Sequence, residues 1–289
     1  IRDGMWATSL SNPYQLSVID MMVGPNDEVH LAVLHRDSLT SGDELAPGSV
    51  SEDSIAVLVL DSTGNHLHMH TVFSSQNLEN IGSLCSDYSG QTYLATSFLE
   101  LVSFGDHELT SSGGTHVAVA QYNSGGWLWA KSAGGTGDAS ATDCDGRHDG
   151  GVAVVGDFLQ NMTFGDLEIG PSVWVDFYEA HISDQGEWLH ATGFGGGAAD
   201  HAAAIHITEQ GDSLILGKTT GTLVLGEYTL TDIDGKNDGN HHDLFLGRRQ
   251  ANSTWDWAIA AGGGGDDLPD SLSMSCLLYT SDAADDLTR

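Results

Sequence analysis

Two loops rich in aspartate carry the residues of this sequence that are best suited to bind a ligand. Residues 143–150 read DCDGRHDG and residues 232–239 read DIDGKNDG, so both fit the pattern Asp-x-Asp-Gly-x-x-Asp-Gly. Carboxylates clustered around a glycine bend are the ligands that a hard cation such as Ca²⁺ selects. Neither loop has the spacing or the closing glutamate of an EF-hand, and a pair of ordinary Asp-Gly turns is the other interpretation.

The metal hypothesis predicts weak calcium binding, with a dissociation constant of about 10⁻⁴–10⁻³ M. The second loop is the stronger candidate, because it lies in an insertion of six residues that needs something to order it. The predicted ligands are Asp143, Asp145 and Asp149 in the first loop, and Asp232, Asp234, Asp238 and Asp243 in the second. No other cofactor is expected.

Histidines offer a second kind of metal ligand. His66, His68 and His70 alternate along one predicted strand, which presents their imidazoles to one side. The internal repeat described below places His66 and His68 where other repeats have tryptophan, which favours packing over metal binding. His241 and His242 lie in the inserted loop and are better placed for a metal.

Familiar catalytic and nucleotide-binding signatures do not emerge from the sequence. The glycine-rich stretch GWLWAKSAGGTGD (126–138) is not followed by a helical pattern and lacks the Gly-Lys-Ser/Thr of a phosphate loop, so it predicts a turn. No nucleophile elbow, HExxH motif or Ser/His/Asp order stands out, and no catalytic residue is predicted. A carboxylate pair for glycoside hydrolysis, assembled from distant strands, stays open as an alternative.

The chain is strongly acidic. It has 41 Asp and Glu residues against 9 Lys and Arg residues, for a formal net charge of −32. Such a field repels nucleic acid and anionic membrane surfaces. No stretch approaches the length of a transmembrane helix. We therefore expect no nucleic-acid partner and no direct membrane insertion of this chain.

An internal repeat of about 60 residues organises the sequence. The spacing from Trp127 to Trp188 is 61 residues and that from Trp188 to Trp255 is 67, and the Phe-Gly-Asp motifs at Phe104 and Phe164 are 60 residues apart. Independent markers that agree on one period indicate a repeat architecture. The predicted repeats cover residues 13–75, 76–137, 138–199 and 200–265, with a partial fifth at 266–275. In the first repeat, HRDSLTSGDELAPGS (35–49) replaces the Phe-Gly-Asp segment.

Each repeat reads as short strands joined by tight turns. In the third repeat GVAVVGDF, VWVDFYEAHI and EWLHATGF have the composition of strands, and Gly, Asp and Asn occupy the turns. Because Trp127 and Trp129 alternate with the apolar Leu128 and Ala130, both faces of the sheet are expected to be buried. The sequence predicts an all-β chain and a β-propeller of four-stranded blades of about 60 residues, with about four blades and a stub in an incomplete ring. A β-solenoid is the alternative.

The strand and turn sequences resemble a known family. VAVAQYNSGGWLWAKSAGGTGD and VAVVGDFLQNMTFGD are similar to the SBBP-type β-propeller repeats of bacteria and archaea. The resemblance covers residues 76–265 well and 13–75 weakly. It implies a propeller within a long secreted or surface-attached protein, and it supplies no catalytic residues.

The cysteines and the end of the sequence carry two further expectations. Cys85 and Cys144 fall at nearly the same phase of neighbouring repeats, and equivalent positions usually lie too far apart for a disulfide, so two free or buried thiols are expected. Residues 276–289, CLLYTSDAADDLTR, break the repeat and resemble a translated sequencing-library adapter. We expect this tail to be non-native and to lie outside the domain of residues 1–275.

The regular repeats, dispersed acids and lack of a catalytic constellation together predict a function. We expect a non-catalytic propeller segment of a larger extracellular or cell-surface protein, which acts as a binding or adhesion scaffold for a protein or glycan. The alternative is a propeller enzyme, either glycan-active or quinoprotein-like, whose site lies outside or only partly inside residues 1–275. LDSTGNHLH at 60–68 resembles a blade turn of quinoproteins, but the other repeats lose it (QYNSGGW, HISDQGEW), which disfavours the quinoprotein alternative.

Overall fold

A computed structural model describes residues 8–274, except 77, 79–81, 232 and 234–240. All the regular secondary structure assigned within these residues is β-strand, and the strands pair in antiparallel sheets. The predicted all-β class is confirmed. None of the described segments forms a helix long and apolar enough to cross a membrane.

The strands follow the repeats. Strand β1 (Leu10–Ser11) precedes the first repeat, which contains β2 (Leu16–Val23), β3 (Val29–His35), β4 (Leu39–Ser41), β5 (Glu44–Ala46), β6 (Ser54–Leu60) and β7 (His66–Ser74). The second contains β8 (Ser83–Ser86), β9 (Thr92–Phe98), β10 (Leu101–Phe104), β11 (His107–Thr110), β12 (His116–Asn123) and β13 (Gly126–Gly135). The third contains β14 (Asp143–Gly146), β15 (Val152–Phe164), β16 (Leu167–Ile182) and β17 (Trp188–Gly196). The fourth contains β18 (Asp200–Ile207), β19 (Ser213–Thr219), β20 (Leu223–Leu225), β21 (Tyr228–Leu230), β22 (Asp243–Arg249) and β23 (Trp255–Ala261).

Every repeat is an antiparallel sheet of four main strands in sequence order, such as β8-β9-β12-β13, with a hairpin inserted between the second and third strands. In the third repeat the hairpin is the far half of β15 and β16. The hairpin turns place a glycine at positive φ: Gly42 (59°), Gly105 (57°), Gly165 (60°) and Gly226 (62°). The first repeat therefore keeps the hairpin although its sequence departs from Phe-Gly-Asp.

In the second, third and fourth repeats, the hairpin pairs with the last main strand of the preceding repeat. Strand β10 pairs with β7, the far half of β15 with β13, and β20 with β17. Strand β4 pairs with β1 in the same manner. These pairings carry backbone hydrogen bonds from one repeat to the next, and they link adjacent repeats in addition to the packing of their faces.

Two glycines make this close pairing geometrically possible. A Cβ atom on Gly135 would lie 2.0 Å from the carbonyl oxygen of Asn161 in the hairpin of the third repeat. A Cβ on Gly196 would lie 1.8 Å from the carbonyl oxygen of Thr222 in the hairpin of the fourth. Such contacts are far inside van der Waals distance, so only glycine fits at these positions.

The hydrophobic core lies between successive repeats. Alternation along β15 sends Val152 and Val154 into the cluster shared with the second repeat, and Ala153 and Val155 into the cluster shared with the fourth. A comparable cluster joins the first and second repeats. Both faces of an inner sheet are therefore buried, because each repeat is covered by its neighbours on either side.

The tryptophan markers occupy one register. Trp127 pairs with Tyr122, Trp188 with Ile182 and Trp255 with Arg249, and His66 pairs with Leu60 at the same position of the first repeat. The rings of Phe104 and Trp127 lie edge to face at 5.0 Å, and those of Phe164 and Trp188 do the same. In the second and third repeats the aromatic pair packs the hairpin onto its own repeat, which explains why the two markers recur together there.

The expectation of two unlinked thiols is wrong. Cys85 and Cys144 form a disulfide, with their Cα atoms 5.9 Å apart. They lie in β8 and β14, the first strands of the second and third repeats, and these two strands pack against each other. Cys144 is equivalent to Leu84 and not to Cys85, and the two cysteines come within disulfide reach because the short first strands of neighbouring repeats lie side by side.

We expect loss of the disulfide to destabilise the junction between the second and third repeats. The bond closes a loop with a sequence separation of 59 residues. The double variant Cys85→Ala/Cys144→Ala should lose about 2–4 kcal/mol of unfolding free energy, because cross-links restrict the unfolded chain. Urea unfolding in a Cys276→Ser background isolates the effect from the third thiol. An unchanged midpoint would contradict the linkage.

The close approach at Gly196 predicts an asymmetric mutational effect. Gly196→Ala should cost about 1–3 kcal/mol, because its Cβ forces the hairpin of the fourth repeat away from β17. Gly197→Ala is the matched control, since no atom lies within 4 Å of the added Cβ. Thermal unfolding of both variants measures the difference. Equal melting temperatures would argue against the hairpin contact.

Candidate functional site

The first aspartate loop does not gather its carboxylates at one point. Asp143 accepts a hydrogen bond from the amide of Ile205 at 2.9 Å, and Asp145 accepts one from the amide of Ile207 at 2.7 Å. Asp149 instead forms an ion pair with Arg147. Two of the three predicted calcium ligands thus bind the first strand of the fourth repeat, and the third binds within its own turn.

Burial changes the acid strength of one of these groups. Desolvation raises the pKa of Asp143 to about 6, although the hydrogen bonds from Ile205 and Cys144 act in the opposite direction. Among the residues that the structure describes, no group of three or more His, Cys, Asp or Glu side chains is arranged to hold a metal. For the first loop, the contacts fit a structural role as hydrogen-bond acceptors.

Most of the second aspartate loop lies outside the described residues, namely Asp232, Asp234 and Asp238. Asp243 begins β22, is buried, and accepts a hydrogen bond from the amide of Ile233 at 2.7 Å. Its other carboxylate oxygen has no hydrogen-bond partner among the residues that the structure describes. Calcium binding by this loop stays a prediction.

The histidine candidates have separate environments. His70 is buried against the rings of Tyr122 and Trp127. Burial and the neighbouring His68 lower its pKa to about 4, so it is a neutral packing residue at pH 7. In the inserted loop, Nδ1 of His242 lies 3.0 Å from a carboxylate oxygen of Asp266.

Several other aspartates hold neighbouring repeats together, a role that the sequence patterns did not indicate. Asp20 accepts from the amide of Leu84 at 2.7 Å, and Asp87 accepts from that of Gly151 at 3.0 Å. Asp157 pairs with His201 and also accepts from the amide of Ala202. In each case a carboxylate of one repeat satisfies a backbone donor of the next.

A polar cavity between the third and fourth repeats is the best-formed candidate site. Its volume is about 440 Å³. It opens where three turns meet, at residues 147–149, 208–212 and 250–254. The lining side chains that bear charge or hydrogen-bonding groups are Arg147, His148, Asp149, His181, His190, Glu209, Gln210, Ser213, Arg249, Gln250 and Ser253.

A buried ion pair lies against this cavity through Arg249, which is one of the lining residues. Glu179 is fully buried, and Arg249 is 4% exposed. Nη1 of Arg249 donates to Oε2 of Glu179 at 2.7 Å, and Nε2 of His181 lies 2.8 Å from Oε1. Ser213 also donates its hydroxyl to Glu179. The carboxylate is thus fully occupied by partners from the third and fourth repeats.

The cationic half of the pair is less fully used. Nη2 of Arg249 donates to Nε2 of His190 at 3.0 Å, and the guanidinium lies 5.4 Å from the ring centroid of Phe194. Its Nε has no hydrogen-bond partner. Arg147 makes two contacts to Asp149, and its buried Nη1 is likewise without one. Each of these two nitrogens is buried and has no acceptor among the described residues, and both belong to arginines that line one cavity.

The titration behaviour favours recognition over proton transfer. Burial alone would raise the pKa of Glu179, but the hydrogen bond and charge of His181 and the charge of Arg249 hold it below its ordinary value. Burial, Arg249 and His181 lower the pKa of His190. At neutral pH the site therefore holds an ionised carboxylate that is a poor base and a neutral imidazole.

Comparison between repeats explains why sequence motifs missed this cluster. Glu179 pairs with Thr192 at a register position that holds Val57, Val119 and Leu246 in the other repeats. Arg249 occupies the position of Leu60, Tyr122 and Ile182. The detectable signal was a charged residue at a repeat position that is otherwise apolar, and it requires an exact strand register to be seen.

Comparisons with known proteins leave this site to be interpreted from its geometry. No protein-family model matches the chain, and no curated protein matches it at a significant level.

Because Glu179 and Arg249 form a buried ion pair, we expect the effects of their substitution on unfolding free energy to be strongly coupled. Arg249→Ile should cost about 3–5 kcal/mol, because it leaves the buried carboxylate of Glu179 without its cation. Glu179→Val/Arg249→Ile restores the residue types of the other repeats and should regain most of that loss. Urea unfolding followed by tryptophan fluorescence measures both. A double variant as unstable as the single one would show that the pair is needed for more than charge balance.

Proposed function

We propose that this chain is a non-catalytic β-propeller segment of a larger extracellular or surface protein and acts as a binding scaffold. In this proposal each four-stranded repeat is a blade, and about four blades and a stub form an arc of a larger ring. Support comes from the face-to-face packing of successive sheets and from the resemblance of residues 76–265 to SBBP-type repeats.

An extracellular or cell-surface location is part of the proposal. The disulfide between Cys85 and Cys144 supports it, because such bonds persist in oxidising compartments and are rare in reducing ones. The excess of acidic residues suits a soluble, exposed surface.

The cavity between the third and fourth repeats is the proposed ligand site. The observation that carries the proposal is the pair of guanidinium donors, Nε of Arg249 and Nη1 of Arg147, that have no protein acceptor. Guanidinium groups form their strongest hydrogen bonds with carboxylates and other oxyanions. Around them lie the neutral His190, the hydroxyl of Ser213 and the amide of Gln250, which suit sugar hydroxyls. The ligand class is therefore a small polar molecule that bears a carboxylate, such as an acidic sugar.

Binding is favoured over catalysis by the state of the acidic group. Glu179 is enclosed by Arg249, His181 and Ser213, and its lowered pKa makes it a weak proton acceptor. A general acid or base works best with a pKa near the working pH. The cluster is instead a rigid, preorganised set of donors, as a binding site requires.

Calorimetric titration of the full chain with galacturonate and with galactose tests the ligand class, because the two sugars differ only in the C6 carboxylate. We expect galacturonate to bind at one site and galactose to bind at least tenfold more weakly. Arg147→Gln should weaken galacturonate binding by about tenfold or more, the loss expected for a hydrogen bond to a charged group.

Arg248→Gln is the matched control. Arg248 pairs with Asp212 and is outside the cavity lining, so its replacement should leave the affinity unchanged. The folded double variant Glu179→Val/Arg249→Ile should lose binding. Equal affinity for the two sugars, or an Arg147→Gln variant that binds as well as the parent, would contradict the proposal.

A further inference from the structure

The outer edge of the fourth repeat has the features of a hairpin-binding site. Within the described residues β23 is the terminal strand of its sheet, in the order β18-β19-β22-β23. The corresponding strands β7, β13 and β17 each hold the hairpin of the following repeat on this edge. The end of β23 therefore has the same place in its repeat as the ends of β13 and β17 have in theirs.

Three glycines show which residues at the ends of β13, β17 and β23 are structurally equivalent. A Cβ on Gly134 would meet His116 at 2.3 Å, and one on Gly195 would meet Asp176 at 2.1 Å. A Cβ on Gly262 would meet Asp243 at 1.8 Å. All three side chains come from the first residue of the third main strand or its equivalent within β16, so the three glycines are structurally equivalent.

The residue after each of these glycines lies against a hairpin in the second and third repeats, but not in the fourth. Gly135 and Gly196 follow these glycines, and each faces a hairpin carbonyl at a distance that excludes a Cβ. Gly263 follows Gly262, and none of the described atoms lies within 4 Å of a Cβ placed there. Its φ lies outside the left-handed range that favours glycine. No described contact or backbone conformation requires glycine at this position.

Solvent exposure agrees with an unfilled contact. Ala133 and Gly134 are buried beneath the hairpin of the third repeat, whereas Ala261 and Gly262 are exposed. Ile259, on the same strand, is 56% exposed. Among the described residues, this edge is thus more open than the equivalent edge of the second repeat, whereas Gly196 in the third repeat is exposed even with its hairpin in place.

We propose that the edge of β23 at residues 260–263 is a binding site for the hairpin of a further repeat of the same kind. The occupant has the pattern of the existing hairpins, two short apolar strands around a glycine turn, as in Leu101–Thr110. In the observed pairings Val102 lies opposite Ser74, Met162 opposite Gly135 and Leu223 opposite Gly196. The equivalent apolar residue of the incoming hairpin would lie opposite Gly263. This inference rests on the proposed arc of a larger ring, but it does not depend on the cavity or its ligand.

Hydrogen exchange on the full chain tests the site. The probe is a backbone-cyclised peptide of residues 220–231, TGTLVLGEYTLT, because the carbonyl of its Thr222 excludes a Cβ at the equivalent Gly196 and because an isolated linear hairpin is only marginally stable. At saturating peptide, the amides of residues 260–263 should exchange at least tenfold more slowly, with no comparable change in β7, β13 or β17.

Two variants make the result specific. Gly263→Val should fold with an unchanged melting temperature and abolish the protection, because its side chain would strike the hairpin carbonyl. Gly264→Val should retain it, since Gly264 also has no atom within 4 Å of an added Cβ but lies beyond the pairing site.

Absence of peptide protection at residues 260–263, or protection that survives Gly263→Val, would overturn the proposal. Concentration-dependent protection of the same amides without peptide would also overturn it, because a second copy of this chain would then be the occupant.

Discussion

The pairing of each hairpin with the repeat before it is the constraint on which the rest of the molecule depends. A single four-stranded sheet whose two faces are both apolar cannot bury them alone, and stacking solves this only if neighbours stay in register. The backbone pairs at Ser74, Gly135 and Gly196 fix that register. The edge-to-face contact between the hairpin phenylalanine and the tryptophan of its own repeat then anchors the hairpin on its other side.

Carboxylates provide a second set of links between repeats. Asp20, Asp87 and Asp143 each accept a hydrogen bond from a backbone amide of the following repeat. Part of the acidity of the chain therefore serves the repeat junctions. The same use of carboxylates gives a physical reason why aspartates that resemble a cation loop in sequence, such as Asp143 and Asp145, point to different backbone donors instead of to one centre.

The proposed ligand site lies where the third and fourth repeats depart from the residue types of the other repeats. Uncharged residues occupy the positions of Glu179 and Arg249 in the other repeats, and of these only Tyr122 has a polar side-chain group, which is hydrogen-bonded to His30. Replacing both by a buried ion pair recruits His181, His190 and Ser213 to satisfy it. A buried charged cluster is costly unless it is fully bonded, so its presence at one junction only is what singles out this cavity.

The sequence alone determined the all-β class, the period of about 60 residues and the burial of both sheet faces, because these follow from local patterns that recur along the chain. Trp127, Trp188 and Trp255 mark the last strand of their repeats from sequence spacing alone. The partners across repeats were decided only by the tertiary structure. Spacing could not show that Cys85 and Cys144 meet, because that depends on how closely the first strands of neighbouring repeats pack. The cluster of Glu179 with Arg249 was equally hidden, since the two residues are 70 positions apart and touch only after two separate sheets have stacked.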